Sequence, residues 1–296
     1  MQSQVYKTEW IRFYTIRKNC PICAHRDGCS ISSDGKIIMC ARVESDKKCG
    51  EAFAGGWLHK LAEPIKYKAP PKQKPVTLNF TVEAQRYVQN LFNYVELAQE
   101  LGVSEKSLIR LQVGWNGYAF TFPMSDAKGN IIGIRIRGKQ GKWSIPGSRN
   151  GIFWPAGVHR DETPLVICEG ATDCAALLDL GYNVIGRPSC SSGTEYILEF
   201  LRGKKRDVII MADNDSPKTL PDGGTWRPGK EGAFRLAEAI KPLCASLKVI
   251  KPPFKKDARA WVNKGATREV IDSIIRNTKN FGNFKKLLLT TANNRR

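Results

Sequence analysis

Two stretches in the second half of the chain, Leu165-Val-Ile-Cys168 and Val208-Ile-Ile-Met-Ala212, are apolar without alternation, and a third, Leu247-Lys-Val-Ile250, is broken by a single lysine. Runs of this kind predict strands buried on both faces, as in a parallel sheet covered by helices. Each leads to acid. Glu169 follows the first directly, Asp213 and Asp215 follow the second, and Asp257 follows the third after Pro252-Pro-Phe. Behind Glu169 the period changes. Gly170 permits a tight turn, Thr172 can cap a helix, Ala175, Ala176, Leu177, Leu178 and Leu180 give that helix an apolar face, and Gly181 ends it. Asp173 falls in its first turn.

Ligands of open α/β sheets bind beyond the carboxyl ends of the strands, so these acids stand where metal or phosphate chemistry is done. Asp213 and Asp215 are two residues apart and can face one site. Like charges that close are costly without a cation, and hard oxygen ligands suit Mg²⁺ or Mn²⁺ rather than zinc. Singly, the same motifs also describe a surface glutamate and a solvated Asp-x-Asp turn; their recurrence at three strand ends favours a site.

Helical periodicity also runs from Val82 through Tyr87, Val88, Leu91, Phe92, Val95, Leu97 and Ala98 to Leu101, with Gly102 as its stop and Ser104 capping a short helix behind it. Two helices packed on a core fit this better than a helix-turn-helix that reads DNA. Residues 117–154 read as β structure: Tyr118 to Pro123, a turn at Asp126 to Asn130, Ile131 to Arg137, and Lys142 to Pro146. Arg135 and Arg137 alternate with Ile134 and Ile136 and so share one face. Between Ala127 and Arg160 there are seven Lys or Arg and no acid. A solvated strand normally mixes signs, so this face is expected to bind phosphates. Trp143 and Trp154 in the same stretch serve the core or stack bases.

Composition points the same way. With 47 Lys+Arg against 28 Asp+Glu the formal charge is +19, which calls for a polyanion, nucleic acid first. No apolar stretch is long enough to span a bilayer and the first ten residues lack a signal-peptide core, so a cytoplasmic protein without a membrane partner is expected. In a reducing compartment the nine cysteines are metal ligands or buried residues. Cys168, Cys174, Cys190 and Cys244 are scattered and read as core. The other five lie between residues 20 and 49. Cys20-Pro-Ile-Cys23 can present two thiolates to one Zn²⁺, and Cys29 to Met39 reads as a hairpin about Asp34-Gly35, which together make a zinc-ribbon layout. A ribbon takes its second pair after the hairpin, so the expected ligands are Cys20, Cys23, Cys40 and Cys49. Cys29 or His59 is the alternative for one of them, because Cys49 stands nine positions after Cys40 where about two to four is usual. Residues 61–75, with four prolines, four lysines and no apolar period, read as a semi-extended linker.

Glu-Gly-x-x-Asp at Glu169 to Asp173, Asp-x-Asp at Asp213 to Asp215 and Lys-Asp at Asp257, in this order, resemble the TOPRIM domain of primases, topoisomerases and some nucleases over residues 164–275. Many members carry another acid after Lys-Asp, whereas Asp257 is followed by Ala258, Arg259, Ala260 and Trp261. The Cys-Pro-x-Cys ribbon, the linker and the basic segment Gly129-Asn-Ile-Ile-Gly-Ile-Arg-Ile-Arg137 ahead of TOPRIM resemble the domain order of DnaG-type bacterial and phage DNA primases. The closing Lys256-Asp-Ala-Arg-Ala-Trp-Val-Asn-Lys-Gly265 is most similar to the phage primase-helicase branch.

The resemblance implies an α/β chain with a zinc ribbon at 1–62, a linker at 63–78, a basic α+β subdomain at 79–160, TOPRIM at 161–275 and a basic tail at 276–296. It implies primer synthesis on single-stranded DNA from nucleoside triphosphates. Glu169, Asp213, Asp215, Asp257 and Asp173 would form the catalytic site; Glu169, Asp213 and Asp215 would hold Mg²⁺ or Mn²⁺, and Glu169 is alternatively the base. Arg135, Arg137, Lys139 and Lys142, with Arg187 and Lys230, would bind template or nucleotide. The loop Ser189-Cys-Ser-Ser-Gly193 offers backbone N–H groups to a phosphate or is a plain capping turn. No Gly-x-x-x-x-Gly-Lys-Ser/Thr loop is present, so a replicative helicase acting in trans is an expected partner. A TOPRIM nuclease and a non-catalytic single-stranded-DNA-binding factor are the competing readings.

Overall fold

The structure, a computed structural model, describes residues 10–49, 56–67, 78–91, 93–138, 141–159, 161, 163–203, 205–219 and 225–282. The chain divides into two compact units, Met1–Pro75 and Val76–Arg296. Among the described residues no helix is long and apolar enough to cross a membrane.

The first unit is an antiparallel sheet in the order β1-β2-β3-β4, from β1 (Trp10–Arg12), β2 (Ser30–Ser32), β3 (Ile37–Cys40) and β4 (Trp57–Lys60). Its core is small: Phe13, Ile31, Ile38 and three buried cysteines. The hairpin turns at Asp34-Gly35, where the carboxylate of Asp34 accepts from the Ser32 hydroxyl at 2.6 Å and Gly35 takes a φ of +74°. Residues 61–67, expected in the linker, belong to the ribbon. The Leu61 N–H donates to the Lys36 carbonyl at 2.9 Å, the Ile65 N–H to that of Gly35 at 3.0 Å, and the Tyr67 hydroxyl to that of Ser33 at 3.1 Å. Leu61, Ile65 and Tyr67 also cover the small core, which composition alone did not reveal. The rest of the expected linker, 68–77, lies outside the described residues.

The second unit begins with α1 (Phe80–Gln89), α2 (Val95–Leu101) and α3 (Glu105–Arg110). The single apolar period read from Val82 to Leu101 is thus two helices, α1 ending at Gln89 with Asn90 as its C-cap and α2 opening where Asn93 accepts the Val95 N–H at 2.7 Å. Gly102 closes α2 at a φ of +65°, and Ser104 caps α3, as read. An antiparallel sheet follows in sequence order: β5 (Gly114–Trp115), β6 (Phe120–Ser125), β7 (Ile131–Gly138) and β8 (Gly141–Ser144).

The remainder is a parallel sheet in the order β10-β9-β11-β14, from β9 (Leu165–Glu169), β10 (Val184–Arg187), β11 (Asp207–Met211) and β14 (Ser246–Ile250). Helices α4 (Ala171–Asp179), α5 (Thr194–Leu201) and α6 (Pro228–Ile240) make the crossovers, and a two-stranded ribbon of β12 (Lys218–Thr219) and β13 (Thr225–Trp226) is inserted before α6. Helices α7 (Ala258–Val262) and α8 (Arg268–Asn277) complete the chain's described part. Both sheet faces are covered, which is why the apolar runs do not alternate. Val166, Cys168, Ile209 and Met211 pack with α2, α3, α4 and α7, while Leu165, Ile167, Val208 and Ile210 pack with α5 and α6. The expected basic tail is packed at its start, since Phe281 meets the Phe234 ring edge-on at 5.6 Å; residues 283–296 lie outside the described part.

The connection from β9 runs to β10 on one side, and β11 lies on the other, so the strand order reverses between β9 and β11. This is where an open α/β sheet leaves a crevice for ligands. Ile152 and Phe153 tie the antiparallel sheet to the parallel one, by a bridge from Ser125 to Ile152 and another from Phe153 to Gly186.

Candidate metal centres and basic cleft

The turn Cys20-Pro-Ile-Cys23 is closed by the Ala24 N–H donating to the Cys20 carbonyl at 2.7 Å and the Cys20 N–H to that of His25 at 2.8 Å. The facing ligands come from the hairpin. Ser30 pairs with Met39 and Ile31 with Ile38, symmetric about the Asp34-Gly35 bond, so the next pair outward is Cys29 and Cys40. The Sγ atoms of Cys20, Cys23, Cys29 and Cys40 all lie within 4.8 Å of one another, with Cys23 to Cys29 at 3.6 Å and Cys29 to Cys40 at 3.8 Å. A tetrahedron with metal–sulfur bonds of about 2.3 Å has edges of about 3.8 Å, so the set fits Zn²⁺.

Cys29 therefore takes the place expected of Cys49. The Cys49 N–H donates to the Gly56 carbonyl at 2.8 Å and Lys48 bridges to Trp57, whose other neighbour is Cys40. That puts Cys49 beyond β4, about 10 Å across two strand spacings. His59 is no ligand either, as its Nε2 lies 3.0 Å from the Val43 carbonyl. Backbone N–H groups of Ala41 and Val43 reach the Cys29 and Cys40 sulfurs at 3.4 Å, and the Arg42 guanidinium lies beside Cys29 at 3.9 Å, all favourable to thiolate charge. The hairpin's symmetry was present in the sequence and would have found Cys29.

The second centre is built by the sheet. Glu169 ends β9, Asp213 and Asp215 follow β11, and Asp257 follows β14, so all of them stand at the same carboxyl edge. Gly170, at a φ of +91°, makes the turn into α4. The Asn214 N–H donates to the Lys256 carbonyl at 2.6 Å, tying the two acidic loops together, and the Lys256 ammonium lies 3.9 Å from Asp215. Gly229 packs on Asp213, where a Cβ would come within 2.6 Å of the Asp213 carbonyl oxygen. Lys230 adjoins this contact from α6, its ammonium 6.0 Å from the Phe234 ring.

Burial and like charge dominate here. Burial, then Asp173 and Glu169, push Asp213 up to about 8. Burial and Asp257 push Asp173 up to about 7. Burial raises Glu169 as well, opposed by the Arg187 guanidinium. Carboxyls that resist ionising together are the donor set a divalent cation relieves. They are not gathered as the thiols are, since among the described residues only the four cysteines form a group of three or more ligands all within 4.8 Å of one another. Mg²⁺ takes one or two carboxylates and keeps waters and substrate phosphates, so a spread set suits it. Asp173 and Asp257 are also committed to structure. Asp173 is buried and accepts the Arg259 N–H at 2.8 Å; Asp257 caps α7 by accepting that of Ala260 at 2.8 Å.

Arg135, Arg137 and Lys142 lie across from Gly170, Thr172 and Pro188 in a narrow cleft of about 40 Å³. The basic face thus meets the β9–α4 turn. Burial and neighbouring cations push Lys142 down, with Asp173 opposing. Arg137 is held by Glu100 at 2.8 Å, a partner the sequence did not suggest. Lys139 lies outside the described residues. Arg187 is at the end of β10, paired in register with Glu169. Trp154 is core, edge-on to Phe200 at 5.1 Å, and Trp143 is 36% exposed. A groove of about 660 Å³ with Trp115, Tyr118 and Phe120 on its wall leads up to Arg137 and Lys142, and was not foreseen.

Compared by sequence, the chain matches no family model and no curated protein. Compared by fold, it resembles the Escherichia coli primase catalytic core, with a TM-score of 0.56 at 17% identity over 72% of this chain and 83% of that one. The Aquifex aeolicus primase, comprising zinc-binding and RNA polymerase domains, superposes with a TM-score of 0.53 at 14% identity over 94% of this chain and 81% of that one. A DnaG primase catalytic domain bound to single-stranded DNA gives 0.53 at 16% identity, over 68% and 80%. A thiol ribbon, an antiparallel sheet and a parallel sheet with acids along its carboxyl edge make up a chain with the fold of the DnaG-type primases.

Proposed function

We propose that the chain is a DNA primase, making short RNA primers on single-stranded DNA by template-directed, metal-dependent nucleotidyl transfer. The observation that carries this reading is the cleft where Arg135, Arg137 and Lys142 face the β9–α4 turn beside the strand-end acids. A surface that attracts phosphates borders one that requires cations. The related fold bound to single-stranded DNA supports the choice of template.

In the reaction the 3′ oxygen of one ribonucleotide forms a bond to the α-phosphorus of the next. The bond from that phosphorus to the bridging oxygen breaks, and pyrophosphate leaves with the electron pair. Asp213 and Asp215, with Asp257 adjacent, would hold divalent ions, which would supply charge neutralisation when bound. Glu169 acts on this step as metal ligand or as acceptor of the hydroxyl proton. The basic face holds template and nucleotide in place, which replaces much of the entropic cost of assembling polyanions. The Cys20, Cys23, Cys29 and Cys40 ribbon contributes a second grip on the template.

The test is incubation of the protein with unprimed single-stranded DNA, four ribonucleoside triphosphates and Mg²⁺ or Mn²⁺. Short alkali-labile products are expected, and Glu169→Gln should abolish them while leaving DNA binding nearly intact. DNA cleavage without synthesis would make the chain a nuclease; binding without either would make it a non-catalytic factor.

A further inference from the structure

Three charged side chains are buried among the described residues, and two have evident partners. Asp173 accepts the Arg259 N–H, and Arg206 donates to the His159 carbonyl at 2.9 Å. The third, Arg187, is 3% exposed, yet among the described residues its guanidinium makes no hydrogen bond and no ion pair within 4 Å. Its five N–H donors have no acceptor committed to them. Buried charges are normally hydrogen-bonded, so such a group is left to water or to a ligand. Glu169 on the neighbouring strand steadies its charge without taking its donors.

The surroundings say what the ligand is. Arg187 ends β10 and leads through Pro188 to the loop before α5. Gly193, the N-cap, offers no side chain to the free N–H groups of the first turn, and a Cβ there would lie 3.6 Å from that of Arg187. An uncapped helix N-terminus beside an uncommitted arginine is a place for an anion with several oxygens, that is, a phosphate. The sheet order then gives the site a direction. From β10 through β9 to β11 the carboxyl ends carry Arg187, Glu169 and then Asp213, cation first and acids after; Arg187 and Glu169 are paired in register one strand spacing of about 4.8 Å apart, and Asp213 follows the end of β11.

Resting on the primase reading, we infer that Arg187 and the N-terminus of α5 form a subsite for the terminal phosphates of the incoming nucleoside triphosphate, whose α-phosphate is attacked at the acids. When the α-phosphorus changes partner, the electron pair of the broken bond goes onto pyrophosphate, and Arg187 is the cation on that side.

Arg187→Lys keeps the charge beside Glu169 and removes the fork; Arg187→Gln removes both. Each is compared with the wild type in extension of an annealed primer that carries no 5′ triphosphate, in single-stranded DNA affinity, and in binding of Mg²⁺ with inorganic tripolyphosphate. The KM for nucleotide and the Kd for tripolyphosphate should both rise, about tenfold for Arg187→Lys and more for Arg187→Gln, with DNA affinity unchanged. An unchanged KM and Kd in Arg187→Lys would overturn the subsite, and so would a defect confined to synthesis without a primer, which would assign the phosphate to the initiating nucleotide. The tripolyphosphate measurement does not depend on synthesis. A wild type that makes no primer but loses tripolyphosphate on substitution would therefore sink the primase reading and leave the subsite standing.

Discussion

The two candidate metal centres are assembled in opposite ways. The thiols come from one turn and one hairpin within residues 20 to 40, and their sulfurs already sit at the spacing of a tetrahedron. The acids come from strand ends spread over residues 169 to 257, repel one another, and are held together by the sheet and by contacts such as that of Asn214 with Lys256. A closed set of soft ligands around a small core is a folding device. An open set of half-buried carboxylates is held by the fold against its own repulsion, and in the proposed function it would leave coordination positions for substrate.

Removing one ligand should expose the contrast most strongly. Cys29→Ser should lose zinc and unfold the first unit, at a cost on the order of 10 kcal/mol of metal-coupled folding energy, while the second unit melts as before. Zinc content and two-transition calorimetry check this; zinc retained at full stoichiometry would break the assignment.

The acid centre should respond in the reverse sense. A carboxyl raised by the fold binds its proton more tightly folded than unfolded, so stability is lost as pH climbs from the unfolded value near 4 towards about 8, the value for Asp213. In chelator, Asp213→Asn should raise stability at pH 8 by on the order of 1–2 kcal/mol after screening, and by less at pH 5. Mg²⁺ should stabilise the wild type increasingly with pH and the variant little. Thermal melts across pH with and without Mg²⁺ measure both trends, and a variant destabilised at pH 8 in chelator would mean that Asp213 is not under repulsion.

The basic face gives a smaller, salt-dependent effect. Replacing Arg135 and Arg137 by Ala should weaken single-stranded DNA binding and reduce the slope of log K against log salt by about 0.7 per lost contact. Because Arg137 is held by Glu100, Glu100→Gln should tighten binding severalfold at low salt. Equal slopes for wild type and the double variant would make these arginines packing residues. The smallest effect belongs to Cys49→Ser, which should keep full zinc and change stability by less than about 1 kcal/mol.

The sequence by itself determined the elements whose burial is the same on every residue or follows a strict period. The runs at Leu165, Val208 and Leu247 could be read as strands because both their faces are covered, and the acids after them lie at strand ends in any register. Arg135 and Arg137 share a face because strands alternate. What the tertiary structure decided was partnership between segments that carry no local mark. Cys29 rather than Cys49 faces Cys40 because pairing about Asp34-Gly35 sets them opposite, while β4 stands between Cys40 and Cys49. Residues 61–67 return to the ribbon because its core is too small to close without Leu61, Ile65 and Tyr67. Arg137 meets Glu100, and Asp173 meets the first turn of α7, across separations of 37 and 86 residues. In the sequence Arg187 is one of several cations expected to bind template or nucleotide. Only the strand order, which sets it beside Glu169 and beneath α5, made it a buried charge with its donors unspent.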